Sequence, residues 1–83
     1  IGGTKILSKT ISLRTVESEI SIALEKVQNK FKSLDIGSYP FFQQGKIGVS
    51  LVIRSDKPKL IEKCKNDIIK FVKSKKIKII NRY

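Results

Sequence analysis

The sequence predicts a two-layer α+β sandwich, an antiparallel sheet with two helices on one face. Three observations carry that expectation: a clean period-two segment at Ile47–Arg54, two apolar stripes at helical spacing, and turn signals between them. The first segment to place is Leu7–Leu13, where Leu7, Ile11 and Leu13 share one parity with Lys9 interrupting them, the pattern of a half-buried strand. Thr15 or Ser18 is the expected cap of the following helix, and Glu17 and Glu19 lie where its N-terminal dipole favours anions. Ile20, Leu24, Val27 and Phe31 then recur on one face with Ala23 beside them, an amphipathic helix of about four turns.

Leu34–Pro40 is short, carries Gly37 and ends at a proline that cannot donate to a ladder, so it reads as a strand leading into a loop or lying at an edge. Gln43, Gln44 and Gly45 read as a turn. Ile47, Val49, Leu51 and Ile53 alternate with Gly48, Ser50, Val52 and Arg54, which completes a β-hairpin. Asp56 precedes a second helix in which Pro58 fits the first turn, where its missing N–H has no intrahelical partner. Leu60, Ile61, Cys64, Ile68, Phe71 and Val72 line its inner face while Lys59, Lys63, Lys70 and Lys73 point elsewhere; Ile77 and Ile79 give a last short strand.

The order is βαββαβ, the split βαβ or ferredoxin-like arrangement. Right-handed crossovers are taken to bring the first and last strands of the units side by side. The predicted core is Leu7, Ile20, Leu24, Val27, Phe31, Val49, Leu51, Ile53, Leu60, Cys64, Ile68, Phe71 and Ile79. With 83 residues, of which 40% are hydrophobic, one small domain of modest stability is expected.

Composition excludes several chemistries. There is no histidine and a single cysteine, so neither histidine acid/base work, an internal disulfide nor a nitrogen–sulfur zinc site can be assembled; no metal ligands and no catalytic residues are assigned. Cys64, four residues from both Leu60 and Ile68, reads as a core thiol. Glu17, Glu19, Glu25, Asp35, Asp56, Glu62 and Asp67 are scattered over caps and polar faces with no evident acid/base pair. No apolar run approaches a membrane span and no signal peptide is visible, so a soluble, cytoplasmic chain with no membrane partner is expected.

The formal charge is +11, and residues 57–83 contribute +8 of it, with ten basic residues against Glu62 and Asp67. Lys70, Lys73, Lys75, Lys76 and Lys78 form a candidate basic patch that could meet phosphates by counterion release, which makes an RNA-binding module the alternative reading. The solvated-surface reading of the same lysines is the stronger one, with lysine, isoleucine and asparagine together reflecting coding bias. Gly45-Lys46-Ile47-Gly48 matches the G-x-x-G of nucleotide-clamping loops, but such a loop must join two helices and here it opens a strand, so it reads as a hairpin turn. The third strand offers aliphatic side chains where an RNA-recognition sheet offers rings, and base stacking on the sheet is not expected.

One segment remains. Gly37, Ser38, Tyr39, Pro40, Phe41 and Phe42 place three aromatics within four positions beside a glycine and a stiffening proline. They read either as a hairpin whose rings cover a sheet edge or as a docking loop with aromatic anchors.

Ile36–Phe42 (I-G-S-Y-P-F-F), followed by G-V-S-L-V-I-R at Gly48–Arg54 and preceded by G-G-T-K-I-L-S-K-T-I at Gly2–Ile11, resembles the C-terminal accessory region of bacterial molybdopterin-binding-domain proteins of the CinA-like (competence/damage-inducible) group. It is also similar to the segment after the molybdopterin-binding domain of FAD synthases. The resemblance covers essentially the whole chain and implies a MoaB/Mog-like domain before Ile1, with Ile1-Gly2-Gly3 as its tether. It implies that a molybdopterin or nucleotide cofactor, and any hydrolysis of FAD or ADP-ribose, belong to that preceding domain. The chain itself is then a non-catalytic accessory module without a cofactor, whose partner is the parent domain or a second subunit.

Overall fold

The computed structural model describes residues 5–80. Six elements follow one another: β1 (Leu7–Arg14), α1 (Glu17–Lys30), β2 (Asp35–Gln43), β3 (Lys46–Ser55), α2 (Pro58–Ser74) and β4 (Lys78–Ile79). The sheet order is β2-β3-β1-β4 and every pairing is antiparallel. This is the ferredoxin-like α+β sandwich. β1 and β4, the first and last strands, are neighbours; within each βαβ unit the strands are not, because β3 lies between β1 and β2, and β1 between β3 and β4. The tether at residues 1–3 lies outside the described residues.

One parity of the sheet carries the core. Ile11, Leu13, Val49, Leu51 and Ile53 are buried against Ile20, Ile61, Cys64, Ile68 and Val72 of the helices, with Phe31 and Leu34 closing the α1 end. Every predicted core residue belongs to this cluster or packs on it; Leu7, Leu24, Val27, Leu60, Phe71 and Ile79 are only partly covered. Ile11, Leu13, Leu34, Ile61 and Val72 join it in addition.

The helix ends differ from the expected caps. Val16, in extended conformation, occupies the N-cap of α1 and makes no side-chain bond, because only Thr15 and Val16 link β1 to the helix; Thr15 comes one residue early and Ser18 lies inside the first turn. Glu17 and Glu19 do sit in that turn. At the other end the Gln28 amide donates to the carbonyls of Phe31 (3.2 Å) and Leu34 (2.7 Å), and its oxygen accepts the Ile36 N–H (3.4 Å), fastening α1 to the start of β2. Lys57 precedes Pro58, the first residue of α2, and the Ser55 hydroxyl accepts its N–H at 3.0 Å. α2 ends in a Schellman motif: Lys76 takes φ 58°, its N–H donates to Lys73 O, and Ile77 N–H donates to Val72 O. Ile77 therefore serves the helix cap, and β4 shrinks to Lys78–Ile79.

β2 is longer than its sequence suggests. It continues through Pro40 to Gln43 as an edge strand, where a missing donor is tolerated, so no loop follows it. The turn is the two residues Gln44 and Gly45, at φ 53° and 73°, the left-handed pair of a type I′ hairpin. Beyond the Leu13↔Val49 pair the hairpin runs on without β1, and Ile47, of inward parity, is 47% exposed there.

Candidate functional site

The segment Gly37–Phe42 is strand, and strand alternation divides it between two faces. Ser38, Pro40 and Phe42 share the parity of the core-facing Leu51, Val49 and Ile47, their register partners. Ser38 donates its hydroxyl to Glu17 at 2.8 Å, tying β2 to the start of α1. Phe42 is opposite Ile47 at the hairpin tip and is 74% exposed. Pro40, Phe41, Phe42 and Ile47 line a shallow depression there.

Gly37, Tyr39 and Phe41 lie on the opposite, open face. Tyr39 folds its ring back over Gly37, whose absent Cβ would sit 2.9 Å from the ring edge and hydroxyl. Phe41 covers its cross-strand partner Gly48, where a Cβ would meet the ring at 2.3 Å. Both glycines therefore leave room for the outer ends of these rings, which a side chain at either position would meet. As its sequence indicates, β3 contributes no ring to this face; the two rings there come from β2.

The candidate basic patch does not form one surface. Lys70 and Lys73 are exposed on α2, and Lys75 and Lys76 belong to its C-terminal cap. Lys78 pairs with Arg14 across β1 and β4, on the open face. Alternation places Lys46 and Arg54 on that face too. The sequence alone groups these lysines by proximity in the chain, whereas the sheet regroups Lys78 with Arg14, Lys46 and Arg54.

Three further titratable groups lie in packing or ion-pair contacts. Cys64 is fully buried, and burial, then the nearby Asp67 carboxylate, pushes its thiol up to about 11. Glu62 is held below the usual carboxylate range first by its hydrogen bond from Lys65 at 2.6 Å, with Lys9 at 3.7 Å adding to it. Asp67 pairs with Lys30 at 2.8 Å, bracing α2 on α1. Among the described residues no group of three or more Cys, Asp and Glu side chains is gathered as a metal site requires, and no helix is long and apolar enough to cross a membrane. An apolar groove between the helices, floored by Ala23, Val27 and Phe71 beside the exposed Ile22, was not signalled by the helical stripe, because Ile22 lies off it.

A family model described as FAD synthase, middle domain, matches residues 5–80. The chain belongs to that family. Comparison with curated proteins finds no match. Among solved structures, a de novo designed protein, Foldit4, superimposes on this middle domain with a TM-score of 0.62 at 16% identity, over 95% of this chain and 100% of that one. At that identity the likeness shows the fold alone. The FAD synthase part of the resemblance is thus established, independently of any molybdopterin-binding or CinA-like parentage.

Proposed function

We propose that this FAD synthase middle domain is a non-catalytic accessory module that docks, through the tip of its β2–β3 hairpin, on an apolar surface of a neighbouring domain in the polypeptide that carries it. The observation behind this is the Phe42–Ile47 pair, 74% and 47% exposed on a hairpin that outruns β1. A large ring on a rigid two-residue hairpin loses little conformational freedom on docking and makes a good anchor. The family description as a middle domain supports neighbours on both sides. The non-catalytic reading rests on the titratable groups: the one thiol is in the core, and Glu62, Asp67, Asp35 and Glu17 each face a lysine, an arginine or a serine.

The neighbour before the chain is a MoaB/Mog-like molybdopterin-binding domain, and the parent a CinA-like cytoplasmic protein; this rests on the similarity of Ile36–Phe42 and Gly48–Arg54 to that group. Any molybdopterin or nucleotide is held by the neighbour. Association of the 83-residue chain with the rest of that polypeptide, supplied in trans and followed by calorimetry, tests the docking. Phe42→Ser and Ile47→Ser should each weaken it by about 5- to 30-fold, the range of an interface anchor, with the melting temperature of the chain unmoved. Unchanged association would defeat the reading.

A further inference from the structure

The open face of the sheet combines two features that the hairpin tip does not share. The rings of Tyr39 and Phe41 lie over Gly37 and Gly48, in space that a Cβ at either glycine would fill, and Tyr39 is 47% exposed. They stand two residues apart on one strand, about 7 Å, a step that an extended sugar–phosphate backbone covers in one nucleotide. Around them the same face carries Arg14, Lys46, Arg54 and Lys78 against a single carboxylate, Asp35, which lies 3.7 Å from Arg54. Arg14, Lys46 and Lys78 make no ion pair among the described residues, and Nη1 of Arg14 is buried without a hydrogen-bond partner among them. The other acidic side chains, Asp56 excepted, sit on the two helices behind the sheet.

We infer that the open sheet face binds single-stranded nucleic acid, stacking bases on Tyr39 and Phe41 and meeting phosphates with Arg14, Lys46, Arg54 and Lys78. Rings supply sequence-tolerant stacking and a cationic rim tracks the backbone, the two components such binding needs. Charge complementarity selects the polyanion: the face holds four cations to one carboxylate within a chain of formal charge +11. A rigid duplex buries its base faces and cannot use the rings, so the single strand is the form that fits. This site is distinct from the lysines of α2, which lie on the other side of the sheet.

The test is fluorescence anisotropy of the 83-residue chain with a labelled, mixed-sequence RNA of about 12 nucleotides, within the site sizes of single-strand binders. Tyr39→Leu and Phe41→Leu keep the glycines covered while removing the π surface, and melting curves verify that both remain folded. Each should weaken binding by about 5- to 100-fold, the span for one stacked base. Arg54→Gln with Lys78→Gln should flatten the dependence of log affinity on log salt by about 0.7 for each phosphate that is no longer neutralised. Lys70→Gln with Lys73→Gln, on α2, should leave affinity unmoved. No binding at physiological salt, ring variants that bind like the parent chain, or an α2 pair that loses as much as the sheet pair would each overturn the assignment. So would ring variants that weaken association with the neighbouring domain while RNA affinity holds, which would make the face a protein interface.

Discussion

Gly48→Ala is the sharpest probe of how the rings pack on the open face. The added Cβ would stand 2.3 Å from Cζ and 2.7 Å from Cε1 of Phe41, and 2.9 Å from the carbonyl oxygen of Leu13. The ring can swing away, but the Leu13 oxygen belongs to the β1 backbone, which pairs with β3 along Leu7–Leu13 and with β4 at Leu13–Arg14. Part of the clash is therefore unavoidable. Overpacking of this kind costs about 1–3 kcal/mol. For a domain of this size that lowers the melting temperature by about 4–8 °C per kcal/mol. In a Phe41→Ala background the ring clash is gone and only the Leu13 oxygen remains in the way, so the same substitution should cost less by on the order of 1 kcal/mol. Gly37→Ala meets only the end of the flexible Tyr39 ring at 2.9–3.1 Å and should cost least. Gly45→Ala meets nothing within 4 Å, and its cost is that of forcing φ 73° on an L-residue, about 1 kcal/mol. Urea melts followed by far-UV circular dichroism give all four values. Equal costs for Gly48→Ala with and without the Phe41 ring would refute the proposed packing of ring on glycine.

Lys76→Gly relieves a left-handed non-glycine residue in the Schellman motif and should stabilise the chain by up to about 1 kcal/mol, read as a higher melting temperature. Leu51→Ala, at a fully buried position, should cost about 2–5 kcal/mol, and Leu24→Ala, only partly covered, should fall below that range in the same melts. The Cys64 thiol rises from 9.0 to about 11 on folding, so its contribution is whole below pH 9 and is lost as pH climbs through 11; the thiol should resist a disulfide reagent at pH 8 until the chain unfolds. Glu62 is lowered on folding, so its contribution is present above pH 4.5 and lost as pH falls through its folded value; Glu62→Gln should flatten the acid limb of stability against pH.

The parts of the fold that were legible in sequence are those where one period dominates. Val49, Leu51 and Ile53 alternate with Gly48, Ser50, Val52 and Arg54, and Ile61, Cys64, Ile68 and Val72 recur at helical spacing, so their inward faces follow from chain geometry alone. β2 was not legible beyond Pro40, because proline and Gly37 lower strand propensity and its apolar residues occupy both parities: Ile36 and Phe42 on one, Tyr39 and Phe41 on the other. Only its pairing with β3 fixes it as a strand. The N-cap Val16 was equally hidden, since nothing in its side chain marks a cap and the link from β1 decides its place.

The candidate site was legible as composition and not as arrangement. That Gly37–Phe42 carries rings and that the chain is basic follows from the residues, but which ring faces which way is set by register, and register joins residues far apart in sequence. The Phe41↔Gly48 pairing turns a glycine of an apparent turn motif into room for an aromatic ring. The Arg14↔Lys78 pairing carries one lysine of the C-terminal run to the sheet face opposite α2. The same alternation that puts Phe42 and Ile47 at the hairpin tip turns Tyr39 and Phe41 to the open face, so the proposed docking and the inferred polyanion binding fall on opposite sides of one strand. Phe42→Ser therefore tests the first, and Tyr39→Leu, outside the depression that Phe41 and Phe42 share at the tip, tests the second.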